Sequence, residues 1–194
     1  MRPDAATLRL AFFPRSSVLT DALLVLGGAA LVALAAQIEI HLGFTPVPIT
    51  LQTFAVLLVG AALGSVLGVA ALGLYLLLGL VGAPVYAGGE SGWEWVEGAT
   101  GGYLVGFMLA AGVAGLLAER QWDRRLATAV TALLTGNVLI YAFGLPWLAH
   151  VADLGWQETF EQGLYPFVVG DLAKLYLAGA LLPAAWRLVK HLRD

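Results

Sequence analysis

Asp171 and Lys174 stand inside a stretch, Leu164 to Val189, that otherwise reads as one apolar helix. Each charge costs roughly 2.5 to 3.5 kcal/mol at the centre of a membrane helix even on the milder insertion scale, so both must face a packed interior or a polar cavity. Their spacing of three residues puts them on one helical face, where they can pair with each other or close on a third group. Two readings fit: an ion pair that ties helices together, or a polar site for a ligand offering both N–H and C=O or carboxylate groups. Asp171 brings acceptors only and Lys174 donors only.

The rest of the chain sets what surrounds that helix. Of its 194 residues 60% are hydrophobic and 12% charged, too little polar surface to cover a soluble globule. The sequence predicts an all-α integral membrane protein. At about 20 residues per span, the length holds about six helices with short connections in one transmembrane domain, residues 1–194. The apolar runs place helices at about 18–38, 51–63, 66–81, 101–117, 126–143 and 164–189. Gly64-Ser65 marks the break between the second and third, which are short or tilted. An N-terminal basic segment followed by Ala33-Leu34-Ala35 has the look of a cleavable leader, but the run is long and carries packing motifs, so an uncleaved first helix is expected.

Several function classes fall away. A net charge of -3 with basic residues gathered at a few loops gives no support for nucleic-acid binding. Without cysteine there is no disulfide and no thiolate chemistry. No G-x-S-x-G or P-loop occurs, and His41, His150 and His191 fall in loops or tails, so a hydrolase, an ATPase and a haem held between helices are all poor fits. No cofactor or metal is expected.

Charge distribution predicts orientation. Arg2, Arg9 and Arg15, then Arg120, Arg124 and Arg125, then Arg187, Lys190 and Arg193 fall on one side of a six-span chain. Glu39, Glu90, Glu94, Glu97, Asp153, Glu158 and Glu161 fall on the other, without Lys or Arg. By the positive-inside rule both termini are cytoplasmic and the polar pair is reached from outside.

Further polar candidates line up with the pair. Pro46 and Pro48 give the connection Leu42 to Phe54 a fixed shape, with Thr50 expected to cap a helix from Leu51. Gln37, Thr45 and Gln52 flank or enter that connection, and the glycine-rich stretch 83–101 carries Tyr86, Trp93 and Trp95. Backbone N–H groups at Thr100-Gly101-Gly102-Tyr103 could receive an anion, and Asn137 and Tyr141 are polar groups inside an apolar helix. Gly27-Gly28-Ala29-Ala30 and Ala33 make a small-residue face that lets another helix approach closely, whether from this chain or from a partner.

Three segments then fall into a familiar order: Ala36-Gln-Ile-Glu-Ile-His-Leu-Gly-Phe-Thr-Pro-Val-Pro-Ile-Thr-Leu-Gln-Thr-Phe54 and onward to Leu58, Gly98-Ala-Thr-Gly-Gly-Tyr-Leu-Val-Gly-Phe107, and Pro166-Phe-Val-Val-Gly-Asp-Leu-Ala-Lys174. Together they resemble the BioY family, the biotin-binding S components of energy-coupling-factor (ECF) transporters. The resemblance implies a six-helix S-component fold in the cell membrane and biotin uptake without catalysis. It also implies partnership with one transmembrane coupling protein and two cytoplasmic ATPase subunits. On the matching positions it implies substrate contacts from Asp171, Lys174, Gln52, Thr45, Tyr103 and Gly102, with the ureido ring on the deep pair; Asn137 and Tyr86, outside those segments, are further substrate-contact candidates. Ala29 and Ala33 would form the docking face for the coupling protein. His41 and Gly98-Ala99-Thr100 depart from the usual proline-containing wording at both loops. The competing function is a solitary or oligomeric facilitator whose charged pair relays ions, and the absence of an inverted internal repeat weighs against it.

Overall fold

The computed structural model describes residues 6–14 and 17–192, so Arg2, Arg15 and Arg193 of the basic clusters lie outside the described residues. In chain order, α1 (Leu8–Phe12) and α2 (Val18–Ala36) lead into strands β1 (Glu39–Ile40) and β2 (Ile49–Thr50). Then come α3 (Gln52–Leu63), α4 (Ser65–Leu80), α5 (Trp93–Glu97), α6 (Gly101–Glu119), α7 (Leu126–Val151), α8 (Trp156–Gly163) and α9 (Tyr165–His191). Four of these, α2, α6, α7 and α9, are long and apolar enough to cross a membrane; α3 and α4 are apolar but shorter, at 12 and 16 residues.

Helix α6 lies at the centre, packed on α3, α4 and α7, while α9 closes on α7 and α3, and α2 rests on α4 and α3. Small residues make the central contacts possible. A Cβ on Gly60 would come within 2.7 Å of the Ala111 Cα, one on Gly68 within 2.9 Å of the Gly60 Cα, and one on Gly115 within 2.7 Å of the Ser65 Cα. Backbones therefore touch along the α3–α4–α6 seam, the packing that small-residue spacing favours where no hydrophobic force drives helices together.

The expected break at Gly64-Ser65 is present. Gly64 has φ +91° and ψ 174°, backbone space that only glycine enters cheaply. The exposed start of α4 is completed from another helix: Glu119 Oε1 accepts the Ser65 N–H at 2.7 Å and the Ser65 hydroxyl at 2.8 Å. A carboxylate there satisfies an orphan donor and meets the positive end of the helix dipole.

Three expectations need correction. Helix α7 does not stop near Phe143 but runs through Pro146 to Val151, and the supposed irregular connection contains α8. The proline costs about 3 kcal/mol in a helix interior, whereas Leu145 and Leu148, 7% and 0% exposed, pack inside the bundle only if the helix continues past it. Burial wins. Thr50 is not the N-cap of α3: Leu51 is, without a side-chain bond, and the Thr50 hydroxyl instead accepts the Gln52 N–H at 3.2 Å and donates to Gln52 Oε1 at 3.1 Å. Finally, Ala29 is 2% exposed and turned into the bundle, and Ala33 packs against the core. The outward flank of α2 is made by Leu23, Leu26, Gly27, Ala30 and Leu34.

The two ends of the bundle differ. At one, the β-hairpin, the 83–100 segment and α8 are tied together, with Gln37 Nε2 donating to the Tyr86 carbonyl, Thr45 Oγ1 to the Gln162 carbonyl and Trp147 Nε1 to the Gly98 carbonyl. At the other, Arg9 pairs with Asp21, Glu119 meets Ser65, and Trp186 Nε1 donates to Asp123. Among the described residues every Lys and Arg except Lys174 belongs to this second end.

Candidate functional site

Asp171 projects from α9 into the space between α3, α6 and α7 and is 4% exposed. Its Oδ1 accepts Lys174 Nζ at 3.0 Å and Thr53 Oγ1 at 3.3 Å; its Oδ2 accepts the Tyr141 hydroxyl at 2.5 Å and Asn137 Nδ2 at 3.2 Å. Four donors from three helices thus use the carboxylate's roughly four lone-pair positions. Lys174 also donates to Thr53 Oγ1 at 3.3 Å, leaving one of its three N–H bonds for another acceptor. Asn137 Oδ1 is buried without a partner.

Above the pair opens a pocket that is partly open to solvent. Its deep wall is apolar, with Leu104, Phe107, Ile140 and Phe167 all under a tenth exposed. Gln52, Thr53, Tyr103 and Tyr141 add polar atoms. Toward the loop end it is bounded by Val47, Pro48 and Thr50 of the hairpin, by Ala87 and Trp95, and by Thr100 at the start of α6. The lining is that of a small-molecule site, mostly apolar with a few convergent polar groups.

Of the residues singled out in the sequence, the structure brings Asp171, Lys174, Gln52 and Tyr103 to the cavity wall, with Asn137 directly behind Asp171. Gln52 is held by Tyr75, whose hydroxyl accepts its Nε2 at 2.6 Å. The Tyr103 hydroxyl donates to the Gly163 carbonyl at 2.9 Å, and its ring meets Tyr141 edge-on at 6.2 Å. Three others lie off the wall. Tyr86 is fully buried, edge-on to Tyr75, with its hydroxyl donating to the Leu76 carbonyl at 2.8 Å. Thr45 braces the hairpin, accepting the Val47 N–H at 3.1 Å and donating to Gln162. Gly102 gives α7 room, since a Cβ there would strike Trp147 and the Phe143 carbonyl.

Thr53 and Trp95 lacked a distinguishing sequence signal. Thr53 could be read as a helix-start residue and Trp95 as an interfacial aromatic. Tyr141 did carry a signal: it follows Asn137 by four residues, on the same helical face.

An apolar helical bundle that carries a mostly apolar pocket over a buried, neutralised charge pair defines a membrane-embedded solute-handling protein. The model of the BioY family matches residues 6–191. This chain belongs to that family, and membership places it among transporter proteins and outside enzymes. It is 38% identical over 166 residues to the biotin transporter BioY of Rhizobium etli, covering 82% of this chain and 88% of that one. It is 41% identical over 153 residues to the biotin transporter BioY of Thermotoga maritima, covering 78% and 87%. The crystal structure of the S-component for biotin from an ECF-type ABC transporter superposes with a TM-score of 0.79, covering 91% of this chain and 95% of that one. At 24% identity the likeness is one of fold.

Proposed function

We propose that this chain is the membrane-embedded biotin-capturing S component of an ECF-type uptake transporter, energised by a transmembrane coupling protein and two cytoplasmic ATPase subunits. The observation that carries the proposal is the buried Asp171–Lys174 pair at the floor of a mostly apolar pocket. The names of the relatives point the same way. In this reading the chain is a single domain of six spans in the cell membrane, α3 and α4 crossing as short helices. Both termini are cytoplasmic by the basic clusters at one end, and the cavity faces outward.

Electrostatics decides which end of biotin goes deep. The pair is neutral overall. A ligand carboxylate about 4 Å from Lys174 gains roughly 4 kcal/mol at an effective dielectric constant of 20 and loses nearly as much to Asp171, while its own desolvation costs several kcal/mol more. A neutral ureido group avoids that cost. Its carbonyl accepts the remaining Lys174 N–H, and one of its N–H groups takes the place of the Thr53 bond at 3.3 Å, the longest at Asp171. The fused ring then packs against Phe107, Ile140 and Phe167.

A solitary ion-relaying facilitator fits less well, because Asp171 is fully occupied by fixed donors. Docking of the coupling protein is assigned to the exposed flank of α2, around Leu23, Gly27 and Ala30. Ala33 sits at its edge.

Calorimetry on the purified protein tests the assignment. Biotin binds the native chain, and Asp171→Ala weakens binding by about 1 to 3 kcal/mol or more, because Lys174 is left without its partner in a dry site. Unchanged affinity in the variant overturns the site; no binding by the native chain overturns the function.

A further inference from the structure

With the ureido head at the pair, the valerate tail of biotin runs toward the loop end of the cavity, where the wall turns from buried to half-exposed at Thr50, Trp95 and Thr100. No cation awaits it there. Among the described residues lining the cavity Lys174 is the sole Lys, Arg or His, and it lies at the opposite, buried end. The two hydroxyls at the mouth are already committed, Thr50 Oγ1 to Gln52 Oε1 at 3.1 Å and Thr100 Oγ1 to the Trp95 carbonyl at 3.4 Å.

The segments that carry the mouth are acidic. Trp95 rides on α5 between the exposed carboxylates of Glu94 and Glu97, and Glu90 and Glu39 come from the neighbouring segment and the hairpin. Glu39 Oε1 is 3.6 Å from His41 Nδ1, and its buried Oε2 has no hydrogen-bond partner. His41 and His150 are the titratable bases at this end of the described chain.

We infer that this site recognises the ring system of biotin and not its carboxylate, so that biotin amides are substrates as good as biotin, and amides ending in an ammonium are better ones. The amides include biotin linked to a lysine side chain, which proteolysis of a biotinylated protein would release and whose zwitterionic end carries no net charge. The inference rests on the ring-down placement proposed above. An amide tail loses no cationic partner relative to a carboxylate, and it sheds the repulsion of the acidic rim. An ammonium tail is drawn by that rim through solvent, an attraction that salt screens over about 10 Å at 0.1 M.

The test is calorimetric titration of the whole protein in nanodiscs of neutral phosphatidylcholine with three ligands: biotin, its N-methylamide, and its amide with ethylenediamine. The methylamide binds within about threefold of biotin. The ammonium-tailed amide binds more tightly than the methylamide at low salt, by about threefold or more, and the advantage closes at about 1 M salt, where the Debye length falls to about 3 Å, and in the double variant Glu94→Gln, Glu97→Gln. If biotin binds and the methylamide is weaker by about tenfold or more, the carboxylate has a protein partner and the inference fails while the function stands. Equal binding of the two amides at low salt removes the role of the acidic rim. If none of the three binds, the biotin reading falls and this inference with it.

Discussion

Two buried aspartates in this molecule have opposite surroundings. Asp171 and Asp123 are 4% and 1% exposed. Asp171 sits mid-helix beside a cavity with both oxygens fully bonded, one of them to a lysine that keeps a spare donor. Asp123 sits in the turn between α6 and α7, accepts the Trp186 indole N–H on Oδ2, and leaves Oδ1 without a hydrogen bond; the Arg124 guanidinium lies over the Trp186 ring and 3.5 Å from Asp123. Burial raises the Asp123 carboxyl above the usual range, with Trp186 and Arg124 pulling it back down. One aspartate is set at the edge of empty space. The other is sealed against the last turns of α9 and fixes a loop. Burial of a carboxylate alone therefore does not mark a site; what distinguishes Asp171 is the unfilled volume next to it.

The comparison is broken most forcefully at the lysine. Lys174→Met leaves a buried carboxylate without its counter-charge, and breaking such a pair costs about 3 to 5 kcal/mol, read as loss of biotin binding or of thermal stability. The double variant Asp171→Leu, Lys174→Met recovers the stability and not the binding, because an apolar pair can replace a buried ion pair in packing but offers a ligand nothing. A double variant that bound biotin would make the pair structural after all.

Next in size is Tyr141→Phe, which removes the 2.5 Å bond to Asp171 Oδ2 and lowers biotin affinity by about 1.5 to 3 kcal/mol, the range for bonds to charged groups. In an Asp171→Asn background its effect shrinks, since Tyr141 acts through that carboxylate. An undiminished effect there means Tyr141 touches the ligand directly.

At Asp123 the expectation reverses. Asp123→Asn changes biotin affinity by less than about threefold and shifts stability by about 1 kcal/mol. The sign of its pH dependence follows from the raised carboxyl. The folded state holds the proton more tightly than the unfolded chain, whose value is about 3.9, so the native protein loses stability as pH rises from there through the folded value. Thermal unfolding across that window has a falling limb that Asp123→Asn flattens, and an unchanged limb assigns it to another group. Smallest in energy is a labelling test of the two ends: cysteine at Arg125 reacts with an impermeant reagent only from the cytoplasm, cysteine at Glu158 only from outside. Reaction of both from one side ends the six-span reading.

Much of this was legible in the sequence because in a membrane the rules are few: apolar runs give helices, charges inside them give sites, and basic loops cluster together. The α7 extension escaped because proline is a local signal, whereas Leu145 and Leu148 find their partners only in three dimensions. Thr53 escaped because its partner, Asp171, is 118 positions away along the chain. Ala29 escaped for another reason: a small-residue face tells that something comes close, not whether that something is the chain itself. Gly60 and Gly68 fall under the same rule: the neighbour of Gly60 is α6, and that of Gly68 is Gly60 itself on α3.

That glycine seam has a mechanical consequence. Helices whose backbones touch cannot slide past one another by even a fraction of an ångström without a clash, since packed interiors shift between discrete arrangements and do not deform smoothly. α3, α4 and α6 therefore move as one stiff body, and this body carries Gln52, Thr53 and Tyr103 while Asp171 and Lys174 belong to α9. The Thr53–Asp171 bond crosses from that body to α9, so any shift of α9 against it changes this distance.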